Sequence, residues 1–484
     1  MRLSIVVAAV LLLGLVAWDF AAATTFLGDD YLFLAFARLE PQPLAVFVRD
    51  LHGGEYYRPV PMLVWALLDR VGQGSVWPFA LLGLVLHAGN AALTVALGRA
   101  VGFPRPMAWL AGIMFLLAPA EREAALWFSA STDLLATAAT LGSLLLLLRA
   151  SPWARLLSLL LAAVACFCKE TALVLPLLAM AVLWAQEPRR LRWRTHILPV
   201  LPYVLVAAGY LAARFAVLRG LGGSNDPLAP WWGRGLQLLG GLVHAVTAYP
   251  PFPEGLAWLV GAPVLAVAGI MAWRARGRAR FPLLWTVLAL LPLPAAGWVV
   301  GARYFYLPAV GLMLLLAWAL DGRGPALRIT VLGVLAALGL AGTITRTVEI
   351  HRYRALLATA RQAVSAGNGH IYLVRNAVKD LDLALKLTTP ASQLPQPLLL
   401  IPDVPASFVW MPETLAARAS FLLAQPPLPP SGAYRFGDQR IVGLARRQEA
   451  PDLDDVLARL PDLRIVELVP SGDRFVFRDV TPTR

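Results

Sequence analysis

Long apolar runs, separated by short clusters of arginine, recur from the first residue to about residue 344, each close to the ~20 residues a bilayer demands. With 58% hydrophobic and 15% charged residues among 484, and a mean hydropathy of +0.66, the chain carries more apolar material than a soluble domain of this length can bury. It reads as an all-α polytopic membrane domain. The formal charge of +13 would fit nucleic-acid binding if the bases formed one surface. They lie instead between the apolar runs, where cytoplasmic loops carry them, and nucleic acid is excluded as a partner. Cys166 and Cys168 sit two residues apart inside an apolar run, too close for a mutual disulfide and without the partners of a metal site, so they read as core.

Residues 1–23 place one arginine before an apolar stretch, as a signal peptide does. They lack a small-residue cleavage site and run into further membrane segments, so they read as an uncleaved first span. Further spans are expected at roughly 76–98, 104–118, 132–149, 153–168, 171–186, 196–218, 256–273, 281–299, 303–320 and 326–344. With the N-terminus inside, one set of loops holds Arg99, Arg105, Arg149, Arg155, Arg189, Arg190, Arg192, Arg194, Arg274, Arg276, Arg278, Arg280, Arg323 and Arg328, which makes that face cytoplasmic. Residues 235–250, interrupted by Tyr249-Pro250-Pro251, then start and finish outside and read as a re-entrant or interfacial helix. About eleven spans put the C-terminus outside. Only three lysines, Lys169, Lys379 and Lys386, against abundant Arg, Ala and Leu point to a high-GC bacterial origin, and so to the bacterial cytoplasmic (inner) membrane.

The acids sort the other way. Asp29, Asp30, Glu40, Asp50, Glu55, Asp69, Glu121, Glu123, Asp133, Glu170, Asp226 and Glu254 fall at the outer face, against Glu187 and Asp321 inside. Carboxylates gathered at the ends of membrane helices mark a working surface; longer outer loops, richer in every polar residue, would give the same bias. Residues 1–345 form the membrane domain on this reading. An amphipathic basic stretch, 345–366, then leads into a small C-terminal α/β or α+β domain outside the membrane, so that 346–484 comprise a linker helix and that domain. Strands are expected at Pro397–Ile401, Arg440–Leu444 and Arg464–Leu468, a helix near 453–460, and a loop at the proline-rich 425–430.

The outer loop between the first two spans holds Gly28-Asp29-Asp30-Tyr31 and then Tyr56-Tyr57-Arg58-Pro59. Adjacent carboxylates repel each other, which raises one toward general-base range, or together they hold a divalent cation; two solvated acids capping a loop helix look the same. Glu121, Glu123 and Asp133 supply a second group of acids, and Lys169-Glu170 closes a helix hairpin, where a charge pair also serves simply to mark the interface. In Arg303-Tyr304-Phe305-Tyr306-Leu307-Pro308 the aromatics also suit an interfacial belt and Arg303 a snorkelling anchor. His87 and Asn90 share a helix face one turn apart, a spacing that also fits helix-to-helix glue.

Asp29-Asp30, Tyr57-Arg58-Pro59, His87 with Asn90, Glu123 with Trp127 and Asp133, Lys169-Glu170 and Arg303-Tyr304-Phe305-Tyr306-Leu307-Pro308 run in the order found in GT-C glycosyltransferases. Over roughly residues 20–310 the chain resembles bacterial relatives of the transmembrane TPR-containing O-mannosyltransferases, and more distantly protein O-mannosyltransferases and the aminoarabinose lipid A transferase. The resemblance implies an enzyme that moves a sugar from a polyprenyl-phosphate carrier to a glycan, lipid or protein acceptor at the outer face. Asp29, Asp30 and Glu123 become its candidate catalytic acids, with a divalent metal as a possible helper. Tyr57, Arg58, His87, Asn90, Asp133, Lys169, Glu170, Arg303, Tyr304 and Tyr306 become its candidate substrate-binding residues. Arg58, Lys169 and Arg303 are the phosphate candidates, because fixed positive charge in a dry cleft helps a lipid phosphate depart.

The chain departs from those relatives at Glu121, where they often have His, at Ala130-Ser131 in place of Gly-Arg, and at Ala302 in place of an acid before Arg303. It also has no TPR-type repeat, so the choice of sugar and acceptor does not carry over. Two other classes fit a polytopic chain: a lipid-linked sugar transporter or flippase, and a GT-C-like scaffold without chemistry. The first calls for internal repeats and mid-span charges, and the charges here sit at span ends. Retention of both Asp29 and Asp30 argues against the second.

Overall fold

Proline opens helix after helix in this chain, since the amide hydrogen it lacks would be unpaired in a first turn anyway. The structure, a computed structural model, describes residues 25–39, 42–50, 56–118, 124–149, 151–187, 192–220, 277–292 and 302–366, single positions 263, 266 and 270, and 371–375, 398–400, 408–422, 434–436, 439–445, 452–471 and 474–481. The first span at 1–23, the re-entrant helix at 235–250, most of the span at 256–273, Glu121, Glu123 and the loop at 425–430 lie outside the described residues.

The helices are α1 (Asp30–Leu39), α2 (Pro59–Gly72), α3 (Trp77–Ala100), α4 (Arg105–Leu117), α5 (Ser131–Leu147), α6 (Pro152–Cys168), α7 (Leu175–Gln186), α8 (Leu201–Leu218), α9 (Phe281–Leu290), α10 (Tyr306–Ala319) and α11 (Pro325–Ala366). Proline stands in the first two positions of α4, α6, α7, α8 and α9. Helices α3 to α11 occupy the stretches read as spans from 76 to 344, apart from 256–273. Among the described residues four helical stretches, Trp77–Ala100, Phe128–Leu147, Trp193–Leu218 and Pro325–Gln362, are long and apolar enough to cross a membrane; the other apolar helices are shorter. The expected span at 326–344 and the basic stretch after it form one continuous 42-residue helix, α11. At 1.5 Å per residue it is about 60 Å long, twice the hydrocarbon thickness of a bilayer.

Contacts divide the chain into two units: Met1–Ala23, Glu55–Pro61 and Trp77–Thr347 form the first, and Thr24–Gly54, Met62–Val76 and Val348–Arg484 the second. In the first, Leu97, Met114, Phe115, Leu141, Leu178, Trp285 and Leu314 are fully buried in one apolar core. Polar side chains tie its helices where no water competes. Ser143 on α5 and Ser158 on α6 each donate to the other's carbonyl, at 2.8 and 2.6 Å, and the Tyr203 hydroxyl of α8 lies 2.5 Å from Ser158 Oγ. Leu201, Leu205 and Phe215 on α8 face outward, an apolar surface suited to lipid.

In the second unit Tyr31 of α1 stacks on Tyr353 at 6.1 Å between centroids, and Phe26 and Phe33 pack on Trp65. Arg38 pairs with Asp69 at 3.0 Å. The C-terminal residues add strands β1 (Ile371–Arg375), β2 (Leu398–Leu400), β3 (Phe408–Pro412), β4 (Tyr434–Phe436), β5 (Gln439–Ala445), β6 (Leu463–Ser471) and β7 (Arg474–Asp479), with helices α12 (Glu413–Arg418) and α13 (Leu453–Arg459). One sheet runs β2-β1-β6-β7, parallel through β1 and antiparallel at β7; the other is antiparallel β3-β5-β4. Alternate residues Ile371 and Leu373, and Leu463 and Ile465, meet Leu415, Val456 and Leu460 in a small core. Strands β2, β5 and β6 and helix α13 lie where the sequence placed them; β6 is longer, and β1, β3, β4 and β7 were not foreseen.

Candidate functional site

Two neighbouring residues, Lys169 and Glu170, turn to different partners because the chain leaves α6 abruptly: Lys169 is extended, at φ −161°, and Glu170 begins a short helical turn, Glu170–Val174. Lys169 Nζ lies 2.5 Å from each carboxylate oxygen of Asp133, with the side chains 2% and 5% exposed. The macrodipoles favour this pairing, with the ammonium at the C-terminus of α6 and the carboxylate in the first turn of α5. Burial lowers the pKa of Lys169 and the Asp133 charge opposes that shift.

Glu170 accepts from Arg58 Nη2 at 2.8 Å and Nε at 3.0 Å, and from Arg214 Nη1 at 2.7 Å. Burial pushes the Glu170 carboxyl up, but the two guanidiniums outweigh it and hold the pKa at about 2. The same pairing raises the pKa of Arg58 against its own burial. Arg214 Nη1 also donates to the Tyr210 hydroxyl at 3.2 Å, which donates to the Tyr57 carbonyl at 3.1 Å. Tyr57 is itself buried and stacks on Tyr210, at 6.0 Å between centroids.

The turn Ala302–Phe305 brings Arg303 and Tyr304 to this place. Two cations approach the ring of Tyr304, Lys169 Nζ at 4.4 Å and Arg303 Cζ at 5.0 Å from its centre. Arg303 Cζ is also 4.1 Å from the ring of Trp127, and Arg346 Cζ of α11 is 5.5 Å from that ring. Ring faces attract cations most strongly where water is scarce. The described residues thus gather Arg58, Lys169, Arg214, Arg303 and Arg346 around Asp133, Glu170, Trp127 and Tyr304. Cations fixed on carboxylates and ring faces are of a kind that can receive an anion, because part of their desolvation is met before a ligand arrives.

Three candidates form a separate buried group. His87 Nδ1 and Asn90 Nδ2 of α3 lie 2.9 and 3.3 Å from the Tyr306 hydroxyl at the start of α10. Asn90 Nδ2 donates to the Leu134 carbonyl of α5 at 3.0 Å, and His87 Nε2 is 3.3 Å from the Leu116 carbonyl of α4. This geometry ties four helices together.

Asp29 and Asp30 belong to the second unit. Leu27 N–H donates to Asp30 Oδ2 at 2.9 Å, and Asp30 N–H returns a bond to the Leu27 carbonyl at 2.9 Å. This reciprocal cap starts α1, with Gly28 taking the left-handed backbone it needs at φ +47°. Asp30 is buried at 1% exposure, and Asp29 beside it is half-buried. Among the described residues no three His, Cys, Asp or Glu side chains gather to hold a metal ion.

Of the sequence candidates, Arg58, Asp133, Lys169, Glu170, Arg303 and Tyr304 therefore converge, and Tyr57 is linked to Arg214 through Tyr210. His87, Asn90 and Tyr306 join one another instead, and Glu123 lies outside the described residues. Sequence reasoning missed Arg214 and Arg346. An arginine inside the apolar run of α8 was the available signal for Arg214, since ionisable residues are kept in membrane helices mainly for function.

No family model matches the sequence, and no curated protein does. Among solved structures, ArnT from Cupriavidus metallidurans in the apo state is similar at a TM-score of 0.53 and 14% identity, covering 92% of this chain and 99% of that one. The same protein bound to undecaprenyl phosphate gives 0.52 at 14% identity over the same shares. An oligosaccharyltransferase from Archaeoglobus fulgidus gives 0.42 at 13% identity, covering 80% of this chain and 64% of that one. Over nearly the whole length of ArnT this chain shares its fold, and four of the described helical stretches are long and apolar enough to cross a membrane.

Proposed function

We propose that the protein is an inverting membrane glycosyltransferase that moves a sugar from a polyprenyl-phosphate carrier to an acceptor at the outer face of the bacterial cytoplasmic membrane. The observation that carries this reading is the gathering of Arg58, Lys169, Arg214 and Arg303 with Tyr304 and Trp127 in one unit of an apolar helix bundle. A polyprenyl phosphate is an amphiphile that needs lipid access for its tail and fixed cations for its head. The solved ArnT of the same fold was captured with undecaprenyl phosphate, which supports this carrier class.

In the transfer, an acceptor hydroxyl attacks the anomeric carbon as the bond from that carbon to the phosphate oxygen breaks. The electron pair goes to the phosphate, whose added charge Arg58 and Arg303 hold while Lys169 and Arg214 supply further fixed positive charge. The acceptor's proton goes to Asp29. Asp30, which accepts from Leu27 N–H at the start of α1, is the alternative base. Glu123 remains a further candidate acid.

Residues 1–345 serve as the transferase domain, with about eleven spans and the N-terminus inside, and 346–484 as a linker helix and small periplasmic domain. Exposed Trp109, Trp153 and Trp193 lie within about a turn of Arg105, Arg155 and Arg194, the pattern of a helix end at an anionic membrane face. The test is mass spectrometry of envelope glycans and lipids in cells carrying Asp29→Asn. The variant should accumulate in the membrane and reproduce the lipid-linked sugar build-up of a deletion strain. An unaltered glycoconjugate profile contradicts the reading.

A further inference from the structure

The buried group of His87, Asn90 and Tyr306 sits at the root of the turn that carries Arg303 and Tyr304. The Leu116 carbonyl can only accept, so in the neutral ring His87 Nε2 carries the proton and Nδ1 accepts from the Tyr306 hydroxyl. That hydroxyl in turn accepts from Asn90 Nδ2. The donors and acceptors form one consistent chain from α3 to the first residue of α10. The Tyr306 ring is further set edge-on against Phe115, at 5.2 Å between centroids. The next residue is pinned too, since Trp285 Nε1 donates to the Leu307 carbonyl at 3.0 Å.

Arg303 and Tyr304 precede Tyr306 by three and two residues in the turn Ala302–Phe305, so the place where α10 begins decides where these two side chains stand. The group is not arranged for stability alone: Asn90 Oδ1 is a buried acceptor with no partner among the described residues, which costs free energy. The Ser143–Ser158 pair, by contrast, ties α5 to α6 without adjoining the Arg303 turn.

We propose that His87 and Asn90 are positioning residues which, through the Tyr306 hydroxyl, fix Arg303 and Tyr304 in the arrangement that grips a polyprenyl phosphate. This rests on the reading of the cation cluster as the carrier-phosphate site and adds residues that act on it without touching the ligand. A polar network of this kind acts as a unit, so removing either end should cost about as much as removing both.

The experiment measures binding of radiolabelled undecaprenyl phosphate to the full chain in lipid nanodiscs, alongside its thermal unfolding midpoint. Tyr306→Phe and His87→Ala should each weaken binding on the order of ten-fold, with the double variant no weaker than either alone. His87→Asn, which keeps an acceptor near Nδ1, should recover most of the affinity. Ser158→Ala should lower the unfolding midpoint and leave binding unchanged. If His87→Ala does not accumulate, Tyr306→Phe decides the matter, since it removes one oxygen and keeps the ring packing. Normal binding in Tyr306→Phe together with weak binding in Arg303→Ala overturns the positioning role and leaves the phosphate site standing. Normal binding in Arg303→Ala and Arg58→Ala overturns the site itself, and the proposal with it.

Discussion

Lys169 and Asp133 form an ion pair almost wholly removed from solvent, the ammonium 2.5 Å from both carboxylate oxygens. A buried pair is weak evidence for stability, because desolvating two ions offsets most of their attraction, but breaking one is costly. Asp133→Ala should therefore destabilise the protein by about 3–5 kcal/mol by stranding the ammonium. Asp133→Leu combined with Lys169→Met should restore the unfolding midpoint and still fail to restore carrier binding. Recovery of both would reduce the pair to packing.

Glu170 gives a signature in pH. Its pKa is held at about 2 in the fold against an ordinary value of 4.5. A carboxyl with a lowered folded-state pKa stabilises fully above its unfolded value, and the contribution disappears as pH falls through the folded one. The gap in unfolding midpoint between the natural chain and Glu170→Gln should thus be constant above about pH 4.5 and close progressively toward about pH 2. A gap that does not change over that window would mean that Arg58 and Arg214 do not hold the ionised carboxylate.

Asp29 and Asp30 should separate by phenotype. Asp30→Asn weakens the cap on α1 and should cost about 1 kcal/mol, seen as lower accumulation or an earlier unfolding midpoint. Asp29→Asn should abolish transfer in protein that still accumulates in the membrane. The reverse pattern would move the base to Asp30.

Helix α10 packs against α9 through Gly311, where an added Cβ would stand 2.6 Å from Thr286 Oγ1 and 2.7 Å from the Pro282 carbonyl. The carbonyl belongs to backbone and cannot step aside cheaply. Gly311→Ala should destabilise by about 1–3 kcal/mol, read as a fall in the thermal midpoint in detergent. An unchanged midpoint would mean that the two helices are not in close contact.

Much of the bundle was legible because apolar runs broken by arginine leave a membrane helix few alternatives, and the hairpin ending at Lys169-Glu170 followed from that. The partners were not legible. Lys169 and Glu170 diverge only because Lys169 breaks the helical period, a backbone event that residue types do not announce. The spacing of His87 and Asn90 did predict a shared face, and both reach one hydroxyl, but that hydroxyl lies more than two hundred residues away. Arg214 was lost inside the apolar run that made α8 readable. Strand β7 went unseen because Arg474 and Arg478 break up its apolar pattern, with Arg478 paired across to Glu467 of β6. Nor did the sequence announce that the Asp30 carboxylate accepts from Leu27 N–H.

The central claim is that the cations around Tyr304 and Trp127 grip the head of a lipid carrier. The most direct measurement is photo-cross-linking in native membranes with a polyprenyl phosphate bearing a diazirine beside its phosphate, followed by peptide mapping with and without excess undecaprenyl phosphate. The account predicts competable adducts on the segments that hold Tyr57 and Arg58, Trp127, Lys169 and Glu170, or Arg303 to Tyr306. Competable adducts confined to other segments, or none on this protein, would contradict it.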